Sequence, residues 1–327
     1  MLGSIFAILS AASFALNNAT VRRGVVSGTP IQAMAVSVPL GVVCFLPLTL
    51  LTGELFRLPL FPQTAVAWMA GLGVLHFVFG RYCNFRANSV AGVNLTAPVV
   101  QLQVVVTMVL AVVVLHEPCT ALQMLGGVLI LAGSLITQRA PARTAGAETK
   151  ESALPVFAPR YLAGYLFASL AAIAYGTTPV MARFALENTG PLTGLLGGLV
   201  SYVAATAVVS LALLSPQVRQ NVFAMDRGNA RWFALSGVFV AAAQGFFFAA
   251  VSVAPVMLVM PLLQLSLAFR MLFSTWLNPA HEIVGPLVLA GVVISVTGAL
   301  MVSIDTSLIV DFLAIPEPVS HVLLWRV

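Results

Sequence analysis

The sequence predicts an all-α polytopic membrane protein, with ten transmembrane helices arranged as two inverted five-helix repeats. Three observations predict it. Of 327 residues, 60% are apolar and only 8% charged, with mean hydropathy +1.03, against roughly 25% charged in a soluble domain. Lipid must therefore solvate most of the chain. Second, rare residues recur at a nearly constant offset. Gly3, Phe6, Ala7, Leu9, Ala11 and Arg22 match Gly164, Phe167, Ala168, Leu170, Ala172 and Arg183 at 161. Trp68, Gly73 and Val74 match Trp232, Gly237 and Val238 at 164, Pro98 and Gln101 match Pro261 and Gln264 at 163, and Gly126 and Gly133 match Gly291 and Gly298 at 165. Third, each copy contains five spans, an odd number, so the second must enter the membrane from the opposite face, the layout of many secondary transporters.

The spans fall at about 2–21, 30–51, 64–85, 90–115, 120–138, 161–184, 191–214, 230–251, 254–277 and 283–304. Each approaches the roughly 20 residues a helix needs to cross, and in lipid each must satisfy its own backbone. Span one lacks a basic start and a small-residue cleavage site, so it reads as a retained helix. Its Ser10, Ser13, Asn17 and Thr20 share one face. The counterpart in span six is Tyr175-Gly176-Thr177-Thr178-Pro179. Polar groups facing lipid are costly, so both stripes look inward, either lining a cavity or bonding neighbouring helices.

His76 lies near the centre of span three, followed by Gly80, Arg81, Tyr82 and Asn84. It is the one mid-span group that titrates near neutrality, hence the candidate carrier of a coupling proton. Spans four and nine share Pro-x-x-Gln, as Pro98 with Gln101 and Pro261 with Gln264. Proline frees a carbonyl and bends the helix, and a glutamine three residues on offers donor and acceptor near the same face. Paired Pro-interrupted spans point to a substrate site, although a shared packing device would leave the same trace. Gln244 in span eight joins the cavity set.

Spans five and ten carry glycines seven apart for close packing. Arg270 in span nine has no acid in any span to partner it. It either meets a substrate carboxylate or phosphate or snorkels to the interface beside Trp276. Between the copies, residues 139–160 form a polar linker, which sets the domains at 1–138 and 161–304. The tail, 305–327, is too broken by charge and proline to span.

What is missing is equally informative. All ten acids fall in loops, at helix ends or in the tail, so no mid-membrane carboxylate is available to bind a lipophilic cation, and a neutral, zwitterionic or anionic cargo fits better. Cys44, Cys83 and Cys119 have neither metal nor disulfide spacing. His116-Glu117 and His281-Glu282 lack the second histidine of a metalloenzyme helix. No cofactor, metal or catalytic residue is predicted. The net charge of +5 reflects loop arginines rather than nucleic-acid binding. Eleven Lys and Arg lie in the loops after spans one, three, five and seven against three opposite, which places the linker in the cytoplasm and both termini outside.

These residues together resemble the EamA family of the drug/metabolite transporter superfamily. The resemblance covers about 3–138 and 164–304 and rests on layout, on Pro98 and Pro261, on Leu115-His116-Glu117-Pro118, and on the Gly-rich stretch Leu125–Gly133. It implies that helices one, three, four, six, eight and nine line a central cavity, with five and ten peripheral. Two points depart from it. Leu277-Asn278-Pro279-Ala280 stands where the second Glu-containing ending should be, and the family commonly keeps both termini in the cytoplasm, opposite to the charge count. The expected protein is a bacterial inner-membrane carrier, a monomer or homodimer, whose partners are a small-molecule substrate, the lipid bilayer and a coupling proton. A lipid-linked substrate flippase is the rival within transport. A membrane-embedded enzyme is the rival outside it.

Overall fold

The computed structural model describes residues 2–24, 29–91, 96, 99–139, 160–266, 268–269, 272–273, 286–303 and 316. Among them the structure is helical. Apart from a 3-10 segment at Glu54–Leu60 and a short helix at Pro216–Phe223, the helices in chain order among the described residues are α1 (Leu2–Gly24), α2 (Pro30–Leu51), α3 (Gln63–Ala91), α4 (Val99–Leu115), α5 (Ala121–Arg139), α6 (Tyr161–Leu186), α7 (Pro191–Ala212), α8 (Arg227–Val253), α9 (Val256–Leu263) and α10 (Pro286–Ser303). Six of these, α1 to α3 and α6 to α8, are long and apolar enough to cross a membrane; α4, α5 and α10 contain shorter apolar helices. Outward faces carry Leu51, Val113, Val128, Leu162 and Leu211, all exposed, a surface that suits acyl chains.

Local chemistry sets the helix starts. Thr29 caps α2: its hydroxyl accepts from Gln32 N while the Gln32 amide accepts from Thr29 N at 2.9 Å, ahead of Pro30 at the first helical position. Pro191 opens α7 in the same way, and the Asp226 carboxylate accepts from Gly228 N at 2.7 Å to begin α8.

The expected spans need two corrections. Span three was expected to end near 85, but α3 continues to Ala91, with a π-helical segment at Val74–Gly80. The polar stretch Gly80–Arg86 stays helical, with Gly80 and Cys83 buried and Tyr82 and Arg86 exposed, so Arg81 belongs inside the helix. Span nine was expected as one helix over 254–277. Instead, Ala254 and Pro255 are extended, α9 runs from Val256 to Leu263, and the chain turns at Gln264. Pro261 lies within α9; a proline there costs an intrahelical bond.

Contacts between the halves repeat under the exchange α1↔α6, α2↔α7, α3↔α8, α4↔α9, α5↔α10. The packing of α1 on α8 is matched by α6 on α3, α2 on α8 by α7 on α3, and α1 on α9 by α6 on α4; α2·α7, α4·α9 and α5·α10 are their own counterparts. The match extends to residues. Gly3 abuts Ala254 and Gly164 abuts Ala91; Gly73 abuts Ser201 and Gly237 abuts Ser37. Gly126 lies against Gly298 and Gly133 against Gly291, so α5 and α10 run antiparallel. Two residues meet their own counterparts: Ser295 bonds the Ile130 carbonyl, and Gln101 bonds Gln264. These two pairs trace the line about which the halves exchange.

The molecule has two ends. Arg160 N donates to Val90 O at 2.9 Å, joining the start of α6 to the end of α3 at what we term the linker end. The start of α1 and the ends of α6 and α8 lie at the far end.

Candidate functional site

The π-helical segment brings His76 out of the α3 face into the middle of the molecule; such segments interrupt the regular helical register. His76 Nδ1 lies 3.0 Å from Thr178 Oγ1 on α6, and its Nε2 lies 3.2 Å from Gln244 Nε2 on α8. Gln244 donates to that ring nitrogen, so His76 accepts at Nε2 and donates to Thr178 from Nδ1. The Tyr175 ring centre is 4.9 Å from His76, seated against Gly80, where a side chain would meet the ring. His76, Gly80, Asn84 and Asn88 recur every four residues, so one face of α3 carries polar groups from the centre to the linker end. Asn88 accepts from Thr96 there.

A second polar junction lies on the exchange line, where Gln101 Nε2 donates to Gln264 Oε1 at 2.5 Å. Asn17 stands apart from both, accepting from Ser236 Oγ at 2.6 Å between α1 and α8. Its neighbours on the α1 stripe serve packing. Ser10 donates to Ala243 O on α8, whereas Ser13 and Thr20 bond carbonyls of their own helix. Of the predicted site residues, then, His76, Tyr175, Thr178 and Gln244 come together, and Gln101 and Gln264 form a pair. Tyr82 stands apart from both groups, 49% exposed on the opposite side of α3 from the His76 face. Pro98 and Arg270 lie outside the described residues.

The far end contains a junction that sequence reasoning missed. The Glu117 carboxylate accepts from Val256 N at 2.9 Å and Met257 N at 2.8 Å, capping α9 from the α4–α5 turn. Anions suit a helix start. Arg183, at the end of α6, donates to Val251 O at 2.7 Å and Ala254 O at 3.3 Å, pairs with Glu187 at 2.9 Å and approaches Glu117 at 3.9 Å. The signal was present in Leu115-His116-Glu117-Pro118, but the two N–H groups that bond Glu117 lie over a hundred residues away. A groove of about 500 Å³, lined by Leu2, Gly3, Ser4, Val253, Ala254, Pro255 and Leu258, opens at this end. No predicted site residue lines it.

The two ends differ in closure. α6 packs on α8 and α9, but the exchanged pairs, α1 with α3 and α1 with α4, make at most marginal contact among the described residues. Among the described residues α6 therefore meets α8 and α9 at the far end, while α1 stands apart from α3 and α4 at the linker end. Among the described residues no three His, Cys, Asp or Glu side chains converge to hold a metal.

Comparison with known proteins agrees with this architecture. A solved structure described only as "Crystal structure of protein" superposes with TM-score 0.67 at 18% identity, covering 95% of this chain and 97% of the other. That likeness shows the fold. No curated protein matches. The model of the EamA-like transporter family matches residues 1–139 and again 162–304. With both halves of a multi-pass helical chain matched, the protein belongs to the EamA-like transporter family, a membrane transporter of the drug/metabolite transporter superfamily.

Proposed function

We propose that this chain is a secondary transporter that moves a small neutral, zwitterionic or anionic metabolite by alternating access, without a catalytic step. Its ten spans form inverted repeats at 1–138 and 161–304, joined by the linker 139–160 and followed by the tail 305–327. The observation that carries this reading is the join at its centre: His76 of the first half bonds Thr178 and Gln244 of the second, and Gln101 bonds Gln264. Uncharged amides and hydroxyls bonded across two exchangeable halves can trade those bonds for a solute. Antiparallel α5 and α10, with their glycines in mutual contact, support an exchange line in the membrane plane.

Separation at the linker end, with closure at the far end, fits a carrier open toward the side that bears the basic loops. The positive-inside rule makes that side the cytoplasm of a bacterial inner membrane. His76 is the carrier of a coupling proton, since protonation at Nε2 would remove the acceptor that Gln244 uses.

The decisive experiment is reconstitution into liposomes with uptake of a labelled panel of amino acids, nucleosides, sugars and organic acids. Saturable uptake of one class, lowered at least about tenfold by Gln101→Ala or Gln264→Ala, is expected; removing one partner of a buried polar pair leaves the other unsatisfied. Translocation of head-group-labelled lipid with no solute uptake would replace the metabolite reading with the flippase.

A further inference from the structure

We propose that Arg81 is the receptor for the negatively charged group of the transported solute, which makes the cargo a small organic anion, with carboxylate the matching group. This rests on the carrier reading above and narrows its substrate class.

Arg81 occupies an unusual place for a cation. It lies inside α3, and its Nη1 donates to Ser37 Oγ on α2 at 2.8 Å. Ser37 is one helical turn from Gly41, which touches the Tyr202 ring where α2 packs on its counterpart helix α7. Four residues at 1.5 Å rise put Ser37 about 6 Å from that crossing, so the guanidinium sits near mid-depth. Arginine there is expensive, and as a rule it marks a substrate or ion pathway. No Asp or Glu pairs with it among the described residues, whose ion pairs involve Arg57 and Arg183. Of its five N–H donors, one is used by Ser37.

The surroundings are built for the same ligand. Gly80, the neighbour of Arg81, seats the Tyr175 ring beside His76, so Arg81 stands next in sequence to the central polar groups. Tyr202 Oη and Thr206 Oγ1, one turn apart on α7, are buried without a hydrogen-bond partner. A solute oxygen supplies what they lack. A planar guanidinium and a carboxylate match in a two-bond fork.

The repeat also argues against a purely architectural role. At the offset of 164, Arg81 corresponds to Gly245, His76 to Val240 and Asn84 to Phe248; at 161, Tyr175 corresponds to Phe14. The duplicated scaffold packs at these positions without charge, so one wall alone received the cation. Asn84 and Asn88 continue the polar face of α3 from Arg81 toward the separated linker end, the path an anion would take.

Two measurements test this. In a background with Cys44, Cys83 and Cys119 replaced by alanine, Asn84→Cys is the reporter and Asn88→Cys a second one in case the first fails to fold. The protein in nanodiscs is treated with the anionic sulfonatoethyl and the cationic trimethylammonioethyl methanethiosulfonate. Adding Arg81→Gln should lower the anion-to-cation rate ratio at least about tenfold, the Coulomb effect of a nearby unit charge on both reagents. Arg81→Lys should keep the ratio within about threefold, on the same ground. Reaction with an unchanged ratio in Arg81→Gln overturns the anion receptor and leaves the carrier reading intact. Reaction with neither reagent at either position overturns both, because no aqueous path exists. In the liposome panel, the saturating solutes should be organic acids whose uptake falls at least about tenfold in Arg81→Gln and persists in Arg81→Lys. Uptake confined to neutral solutes and indifferent to Arg81→Gln overturns the proposal.

Discussion

A single carboxylate carries more of this fold than its position in a short turn would suggest. Glu117 spends both oxygens on the first free N–H groups of α9, which otherwise has only Pro255 before it and no capping side chain of its own. Hydrogen bonds to charged groups are worth about 1.5–3 kcal/mol, and a lost cap typically about 1. Glu117→Ala should therefore destabilise the protein by about 2–3 kcal/mol, read as a fall in the thermal unfolding midpoint in detergent. Glu117→Gln, which keeps one acceptor, should lose about half as much. An unchanged midpoint in Glu117→Ala would show that water caps α9 equally well. His76 gives a prediction of a different kind. Glutamine in its place can still bond Thr178 or Gln244 but cannot titrate, so His76→Gln should retain uptake driven by a solute gradient while losing dependence on a pH gradient. Uptake that still follows the pH gradient in this variant would move the proton elsewhere.

At the scale of the helices, glycine placement decides which pairs are rigid. In lipid, helices associate by close packing because burial against acyl chains offers no driving force. A Cβ on Gly298 would meet Gly126 O at 2.5 Å and Ile130 N at 2.8 Å, both backbone atoms that cannot move aside. One on Gly127 would meet only the flexible end of Met108. Gly298→Ala should cost about 1–3 kcal/mol or more, as overpacking does, and Gly127→Ala well under that. Equal losses on thermal unfolding would mean that α5 and α10 are not the fixed pair. The packing faces were legible from sequence, because Gly126, Gly133, Gly291 and Gly298 share an offset, but not that α5 and α10 meet each other. Gln101 and Gln264 were likewise legible as matched polar groups, but not as each other's partners. Arg81 was not. A polar run after Gly80 reads as a helix end when the alternative, a helix whose polar face turns into protein, depends on Tyr175 and Ser37 arriving from other spans. Asn17 and Ser10 were legible as inward-facing, but their partners Ser236 and Ala243 were not, since apolar helices leave no local trace of which neighbour they pack against.

For the whole molecule, an exchangeable scaffold implies a second state whose contacts can be written down in advance. Arg183 holds the far end shut through Val251 O and Ala254 O. By the offsets of the repeat, Arg183 corresponds to Arg22 and Ala254 to Ala91. In the alternative state α1 should close on α3 at the linker end, with Arg22 bonding the carbonyls near Ala91, while α6 leaves α8. Each latch, made of bonds to a charged group, is worth about 1.5–3 kcal/mol, which shifts a two-state equilibrium by roughly 10- to 150-fold. Arg183→Gln should therefore favour closure of the linker end and slow reagent access to the thiol introduced by Asn84→Cys. Arg22→Gln should do the reverse or leave access at its already high level. The double variant is the discriminating one: losing both latches should restore access close to that of the parent, because two opposing biases cancel. If the double variant instead combined both losses as simple unfolding, the two arginines would be ordinary helix-end anchors, and the halves would have no second arrangement to exchange into.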